Sequence, residues 1–176
     1  MRMSRTPDSR REQGFTLVEL MIGMVLFGIL ASLGTLGLSG VQQTLAARGA
    51  HRESVSTLRA VQERAVAENV AYCVAFGSGV TPTTWTVYRV PGADQGALSA
   101  GFTCTSGTSI DTYKAPGGST FSSVGFAQRN STTTAYALFY ARGAASGGSF
   151  KVGGGGGSTY TITVDALTGR VTSSGA

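Results

Sequence analysis

The chain has 176 residues, of which 13% are charged and 26 are glycine, and its formal net charge is +5. Soluble domains usually carry about 25% charged residues, so this composition indicates a polar but largely uncharged surface. Residues 1–14 hold four arginines against Asp8 and Glu12, which leaves ten basic and seven acidic residues in residues 15–176. That mild positive charge gives no strong reason to expect a polyanion partner. With one histidine and no Cys-x-x-Cys motif, the sequence also argues against a metal site.

The first predicted element is an apolar helix that begins at Phe15. Residues 15–41 contain one charge, Glu19, and a run of this length spans a hydrocarbon core of about 30 Å. A carboxylate in such a segment is costly, so it is treated as a functional residue with a partner. If the chain is cut after Gly14, the new ammonium of Phe15 lies four residues before Glu19 on the same helix face. The alternative is an ordinary signal anchor that contains a glutamate.

The sequence GFTLVEL at residues 14–20 resembles the start of mature type IV pilins and the peptidase site before it. The resemblance implies that prepilin peptidase cuts after Gly14 and methylates Phe15. It implies that Glu19 guides docking with other pilins or pseudopilins in a helical filament. It also implies that an inner-membrane assembly platform is a partner in assembly. Residues 1–14 would be the cleaved cytoplasmic leader, and residues 15–41 would lie in membrane lipid before assembly. The protein would cross the bacterial inner membrane once, with its C-terminal domain outside the cytoplasm.

Beyond the span the pattern stays helical to about Glu68, with Asn69 as the predicted end. Residues 42–68 form an amphipathic continuation of the helix. Arg59 and Glu63 are spaced for an i, i+4 ion pair on its polar side. The apolar stripe predicted to enter a globular core consists of Val55, Leu58, Val61 or Gln62, Ala65 and Val66.

In residues 69–176 the period changes to two, which indicates a glycine-rich β domain. Asp165–Thr172 predicts a tight hairpin that ends the chain. The predicted strands are Val70–Phe76, Thr84–Val90, Phe121–Ala127, Thr134–Tyr140 and Tyr160–Val164. Short strands joined by Gly, Ser and Pro segments favour an antiparallel sheet. The predicted fold class is α+β: a long N-terminal helix, its first half transmembrane, packed on an antiparallel β-sheet domain, as in the pilin fold.

This layout is most similar to the GspH/FimT branch of the prepilin superfamily, which contains minor pilins and pseudopilins. Thr168-Gly169-Arg170-Val171 matches the final turn of that branch. The resemblance implies a structural subunit of a type IV pilus or of a type II secretion pseudopilus. The alternative is a FimT-like minor pilin that binds DNA for natural transformation, with Arg170 and Lys151 as the phosphate contacts.

Two cysteines, Cys73 and Cys104, are the candidates for a covalent cross-link. Outside the cytoplasm such a pair is most simply a disulfide. The alternative is a pair of buried free thiols.

No arrangement of catalytic groups is visible, so we expect neither enzymatic activity nor a cofactor. A signal-anchored periplasmic enzyme is the third hypothesis, after the structural subunit and the DNA-binding minor pilin. The five glycines at 153–157 lack the Lys-Ser/Thr of a phosphate loop and indicate a flexible hairpin loop. His51 is expected on a solvated helix face, where no catalytic triad is readily built. Trp85 is expected in the core.

Overall fold

The computed structural model describes residues 15–79, 81–90, 103–127, 133–154 and 158–175, and of residues 33–39 only the backbone. The predicted cleavage residue, Gly14, lies outside the described residues. The chain divides into two compact units, residues 1–38 and 39–176. One α-helix, α1 (Leu17–Ala67), belongs to the first unit at its start and to the second unit at its end. The other elements in the described part of the chain are antiparallel strands and two short 3-10 helices, so the predicted α+β class is confirmed.

In the first unit, α1 exposes its apolar side chains. The twelve large apolar residues from Phe15 to Leu30 keep 53–83% of their surface accessible. Among the residues whose side chains are described, no helical segment is both long and apolar enough to cross a membrane. The predicted span, residues 15–41, includes residues 33–39, whose side chains lie outside the described part. The membrane span therefore stays a prediction.

The second part of α1 ends in a Schellman turn at Asn69. This residue has a φ of 52°, a left-handed conformation that Asn adopts more readily than most residues. Its N–H donates to the Val66 carbonyl at 3.3 Å, and the Val70 N–H donates to the Ala65 carbonyl at 3.2 Å. These bonds satisfy carbonyls that the helix leaves free at its end. The predicted end of the helix at Asn69 is confirmed.

In the part of the second unit that the structure describes, nine strands form two antiparallel sheets. Their bounds are β1 Ala71–Phe76, β2 Thr84–Val90, β3 Thr108–Lys114, β4 Thr120–Ala127, β5 Thr133–Thr134, β6 Tyr136–Phe139, β7 Gly148–Gly153, β8 Thr159–Val164 and β9 Val171–Ser174. The four-stranded sheet has the order β3-β2-β1-β6, and the five-stranded sheet has the order β5-β4-β7-β8-β9. Short 3-10 helices occur at Cys104–Ser106 and Pro116–Gly118.

The main core lies between α1 and the two sheets. Within the predicted stripe, Val55, Leu58, Val61 and Ala65 are at most 9% exposed, which confirms these four positions. Val66 is 50% exposed, so its prediction as a core residue was wrong. The buried residues of the stripe are spaced three or four positions apart along the helix. Val66 directly follows Ala65, so its side chain points to one side of the stripe.

Aromatic rings fill the space where the sheets meet. Phe76 of β1, Phe121 and Phe126 of β4, and Phe150 of β7 have ring centroids 4.6–6.2 Å apart. Trp85 is 2% exposed and packs edge-on against Phe121, which confirms its place in the core. Rings at these distances bury large apolar areas, and the pairs of Phe121 with Phe76 and with Phe150 gain further from their edge-to-face geometry.

The strand predictions need three corrections. β3 and β7 were not predicted at all, and the segment read as one strand, Thr134–Tyr140, is divided at Ala135 into β5 and β6 of different sheets. The final hairpin consists of β8 and β9, with Asp165–Arg170 as the connection rather than as strand. β3 has no fully buried residue and shows no apolar alternation, whereas the alternation of β7 is limited to Phe150 and Val152 and is flanked by glycines.

Cys73 of β1 and Cys104 of the first 3-10 helix form a disulfide, with Cα atoms 5.6 Å apart. Both are almost fully buried in a second apolar cluster with Ala71, Val90 and Leu138. Because side chains alternate along β1, Cys73 lies on the sheet face opposite to the main core. The bond therefore attaches the chain before β3 to the outer face of the four-stranded sheet.

We expect the Cys73→Ala/Cys104→Ala double variant to lose about 2–4 kcal/mol of unfolding free energy, because the cross-link restricts the unfolded chain. Alanine is chosen because both sites are buried and a serine hydroxyl would lack a partner there. The measurement is urea unfolding of the mature protein in detergent, with the wild type under reducing conditions as the matched control. Alkylation of two thiols in the unreduced, denatured wild type would contradict the disulfide.

His51 lies between α1 and the five-stranded sheet rather than on a solvated face, which corrects the prediction. Its ring stacks on Tyr160 of β8, with centroids 4.6 Å apart. Its Nε2 atom is buried and has no hydrogen-bond partner among the described residues. Burial, and next the charge of Arg52, lower the pKa of His51. The folded state therefore favours the neutral ring.

From this lowered pKa we expect the protein to lose stability as the pH falls below about 6.5, the usual pKa of an unfolded histidine. The unfolded chain binds a proton there, whereas the folded chain binds it only at lower pH. The measurement is the melting temperature between pH 8 and pH 5. The control is His51→Phe, which keeps a ring against Tyr160 without a titrating group. Identical pH profiles for the two proteins would contradict the expectation.

Candidate assembly site

The first turn of α1 holds Glu19, the residue predicted to act in assembly, and Phe15 lies just before the helix. Thr16 lies directly before the helix and caps it. The Glu19 N–H donates to Thr16 Oγ1 at 3.2 Å, and the Leu20 N–H donates to the Thr16 carbonyl at 3.2 Å. A hydroxyl in this position satisfies an N–H group that the helix leaves free. Glu19 is the third helical residue, where the helix dipole favours a carboxylate.

Thr16 was not among the residues predicted to matter here. The signal that identifies it is Thr16-x-x-Glu19 before an apolar run, the pattern of a capping box. The cap sets the start of the helix at Leu17, two residues after Phe15. Glu19 therefore belongs to the local structure of the helix end as well as to any contact between subunits, and an experiment on Glu19 has to separate these roles.

Phe15 and Glu19 line one open groove along the helix surface, and Gly23 and Phe27 continue it. These four residues recur every four positions, which is the spacing of one helix face. Phe15 is 83% exposed and Phe27 is 74% exposed. The groove therefore offers a carboxylate, flanked by apolar side chains, to a cationic group.

The final turn, between β8 and β9, is built around Asp165. Its Oδ1 atom accepts hydrogen bonds from the Leu167 N–H at 3.1 Å and from the N–H and hydroxyl of Thr168 at 2.8 Å each. These bonds, first of all the one from the Thr168 backbone, lower the pKa of the Asp165 carboxyl. Gly169 has a φ of 63°, which a glycine adopts without strain. The turn that matches the GspH/FimT branch is thus internally hydrogen-bonded.

Side chains of α1 hold this turn from one side. Gln62 Nε2 donates to the Thr168 carbonyl at 2.9 Å, and the Arg59 guanidinium donates to the Val171 carbonyl at 3.3 Å. Arg59 does not form the predicted ion pair with Glu63; the described ion pairs join other residues. Sequence spacing along a helix carries no information about a carbonyl from a distant strand.

The residues predicted to contact DNA, Arg170 and Lys151, are exposed but do not lie close to each other. Lys151 faces Thr161 across β7 and β8, and the Arg170 carbonyl accepts from the Asp165 N–H. At about 3.3 Å per residue and 4.8 Å per strand, this register places their Cα atoms roughly 16 Å apart. The residues of β8 that lie between the position of Lys151 and the position of Arg170 are uncharged. The DNA contact stays a prediction.

Two family models match the chain. Residues 9–35, which include Gly14, Phe15 and Glu19, match the prokaryotic N-terminal methylation motif. Residues 50–168, about two-thirds of the chain, match the type II transport protein GspH. The chain belongs to the GspH family. This GspH-family chain is a minor pilin or pseudopilin, and the resemblance seen in the sequence is confirmed.

Among solved structures, the GspH-family chain is similar to the type IV minor pilin FimU of Pseudomonas aeruginosa. The identity is 13%, the match covers 72% of this chain and 91% of FimU, and the TM-score is 0.48. It is also similar to the minor pseudopilin EpsH from the type 2 secretion system of Vibrio cholerae, with 12% identity, 76% and 97% coverage and a TM-score of 0.47. No curated protein sequence matches the chain significantly.

Proposed function

We propose that this chain is processed after Gly14, methylated on Phe15, and assembled through α1 into a type IV pilus or a type II secretion pseudopilus. Before assembly, residues 15–41 anchor it in the inner membrane, with the β domain outside the cytoplasm. The role is structural rather than catalytic. The observation that carries the proposal is an exposed apolar helix with one carboxylate, Glu19, in its first turn.

An exposed apolar surface of this extent has to be covered. A single scattered apolar residue at a surface is ordinary, but a continuous face of large apolar side chains marks a contact with protein or membrane. Lipid covers the helix before assembly, and helices of neighbouring subunits cover it afterwards. Helices in such surroundings associate through close packing and polar contacts rather than through the hydrophobic effect.

The one carboxylate of residues 15–41, Glu19, fits a cation supplied by processing. Cleavage after Gly14 creates an ammonium on Phe15, next to the positive end of the helix dipole. Glu19 lies on the same face and offsets that charge, within one subunit or toward its neighbour. In lipid-like surroundings an ion pair of this kind removes the cost of an isolated charge.

The experiment that tests processing is mass spectrometry of the subunit purified from its native membrane. We expect a mature chain that begins with N-methylated Phe15. The matched control is Gly14→Val, which should stay at precursor size because a side chain replaces the hydrogen next to the scissile bond. A native chain that begins at Met1, or at any residue other than Phe15, would show that the proposal is wrong.

A further inference from the structure

A half-open cavity of about 340 Å³ lies between α1 and the four-stranded sheet. On the helix side it is lined by Thr57, Val61 and Glu63, and on the sheet side by Val87, Asp111 and Tyr113. Its volume is at the small end of the range for ligand pockets, about 300–1,000 Å³. A cavity of this size accommodates one or two side chains.

The charges around the cavity leave two carboxylates without a cation. Arg64 also lines it, but its guanidinium pairs with Glu68 at 3.2 Å. Glu63 and Asp111 form no ion pair with any residue in the described part of the chain. One carboxylate comes from the helix and the other from the edge strand β3, so the cavity wall has an excess of negative charge.

Thr57 adds a hydroxyl to the cavity wall. Its side chain is only 8% exposed and lines the cavity. None of the hydrogen bonds among the described residues involves its hydroxyl. The Thr57 Oγ1 atom is not fully buried, so it is open to a hydrogen-bond partner from outside the described residues. An N–H donor entering the cavity would supply this partner.

We propose that the cavity receives a lysine or arginine side chain from a neighbouring subunit of the filament. Glu63 and Asp111 attract the cation, the Thr57 hydroxyl accepts an N–H, and Tyr113 offers an aromatic ring for a cation–π contact. Val61 and Val87 pack against the aliphatic stem, as apolar surfaces do with long basic side chains. This inference rests on the proposed function, because it requires a filament.

The connection between β2 and the segment before β3 does not supply the cation. Residues 91–102, which connect β2 to the segment before β3, contain no lysine or arginine. The basic residue that lines the cavity, Arg64, is already paired with Glu68. We take a second subunit as the source of the positive charge, and the experiment separates this source from Arg129 of the same chain.

The experiment uses a photo-crosslinking amino acid placed at Ala60, which lines the cavity, in the full-length protein in cells. The control position is Ser56, which is exposed and does not line the cavity. In sheared filaments we expect Ala60, and not Ser56, to give an adduct with a neighbouring subunit close to a lysine or arginine. Asp111→Lys should reduce the adduct about tenfold, because like charges then meet at the contact. Changing the identified basic residue of the partner to glutamate should restore it.

Three results would overturn the inference: an adduct of equal yield in Asp111→Lys, an adduct with no basic residue nearby, or an adduct within the same chain, for example at Arg129. An unchanged melting temperature shows that Asp111→Lys still folds, which is expected because Asp111 is exposed. Wild-type subunit present in filaments without an Ala60 adduct refutes this inference alone. Wild-type subunit absent from filaments refutes the proposed function, and this inference with it.

Discussion

Replacing Glu19 with alanine should remove the subunit from filaments while leaving it in the membrane. The ammonium of Phe15 would then have no carboxylate in lipid-like surroundings. An uncompensated charge in a membrane helix costs about 2.5–3.5 kcal/mol at the helix centre, which corresponds to roughly a hundredfold loss in an assembly equilibrium. The measurement is the ratio of subunit in sheared filaments to subunit in membranes, by quantitative immunoblot.

Two further variants separate the charge of Glu19 from its place in the helix end. Glu19→Gln keeps the size of the side chain and a residue type that suits the third position of a capping box, so it should fold normally and still fail to assemble. Glu19→Asp keeps the charge and should assemble in part. If the alanine variant is processed and enters filaments at the wild-type level, Glu19 has no role in docking.

Replacing Phe150 with alanine should cost about 3–5 kcal/mol of unfolding free energy. Phe150 is 0% exposed, and its ring lies 4.6 Å from Phe76, 5.7 Å from Phe121 and 6.2 Å from Phe126, measured between centroids. Its removal leaves a cavity among side chains that belong to both sheets, which can close only in part. Because domains are stable by only about 5–15 kcal/mol, this single change would remove a large part of the stability.

The matched control for Phe150 is Leu167→Ala. Leu167 is also a large apolar residue, but it is 86% exposed at the final turn, so its replacement should change stability by less than about 0.5 kcal/mol. Both variants are compared with the wild type by urea unfolding in the same detergent. A loss of less than about 1 kcal/mol in Phe150→Ala would mean that the central aromatic cluster does not hold the sheets together as the packing indicates.

The sequence predicts those parts of the fold in which periodicity and burial coincide. The helix end at Asn69 and the strand Thr84–Val90 are found where they were predicted, because a left-handed Asn and a β-rich run are local signals. β3 was missed because an edge strand with little burial needs no apolar alternation. β7 was missed because its glycines at 148 and 153 resemble a loop.

In the candidate assembly site, too, the sequence predicts the local features and misses the tertiary contacts. Phe15 and Glu19 were identifiable because charge in an apolar run is a local property of the sequence. The contact of Arg59 with the Val171 carbonyl joins residues 112 positions apart, and no sequence pattern in either segment predicts it. The cavity at Thr57, Glu63 and Asp111 likewise depends on which strand lies at the edge of the four-stranded sheet. Tertiary neighbours of this kind follow from topology, which the sequence alone did not determine.

The contacts of the glycine loop at Gly154 limit how the molecule can be shortened for work in solution. A side chain at this position would meet the Gln43 carbonyl and Ala47, and Ala47 is itself fully buried. A soluble fragment that starts near Ala50 would therefore lack a helical turn that supports the β7–β8 hairpin. Fragments for crystallography or binding assays should keep every residue from about Ser39 onward, so that truncation removes the apolar arm and no part of the domain interior.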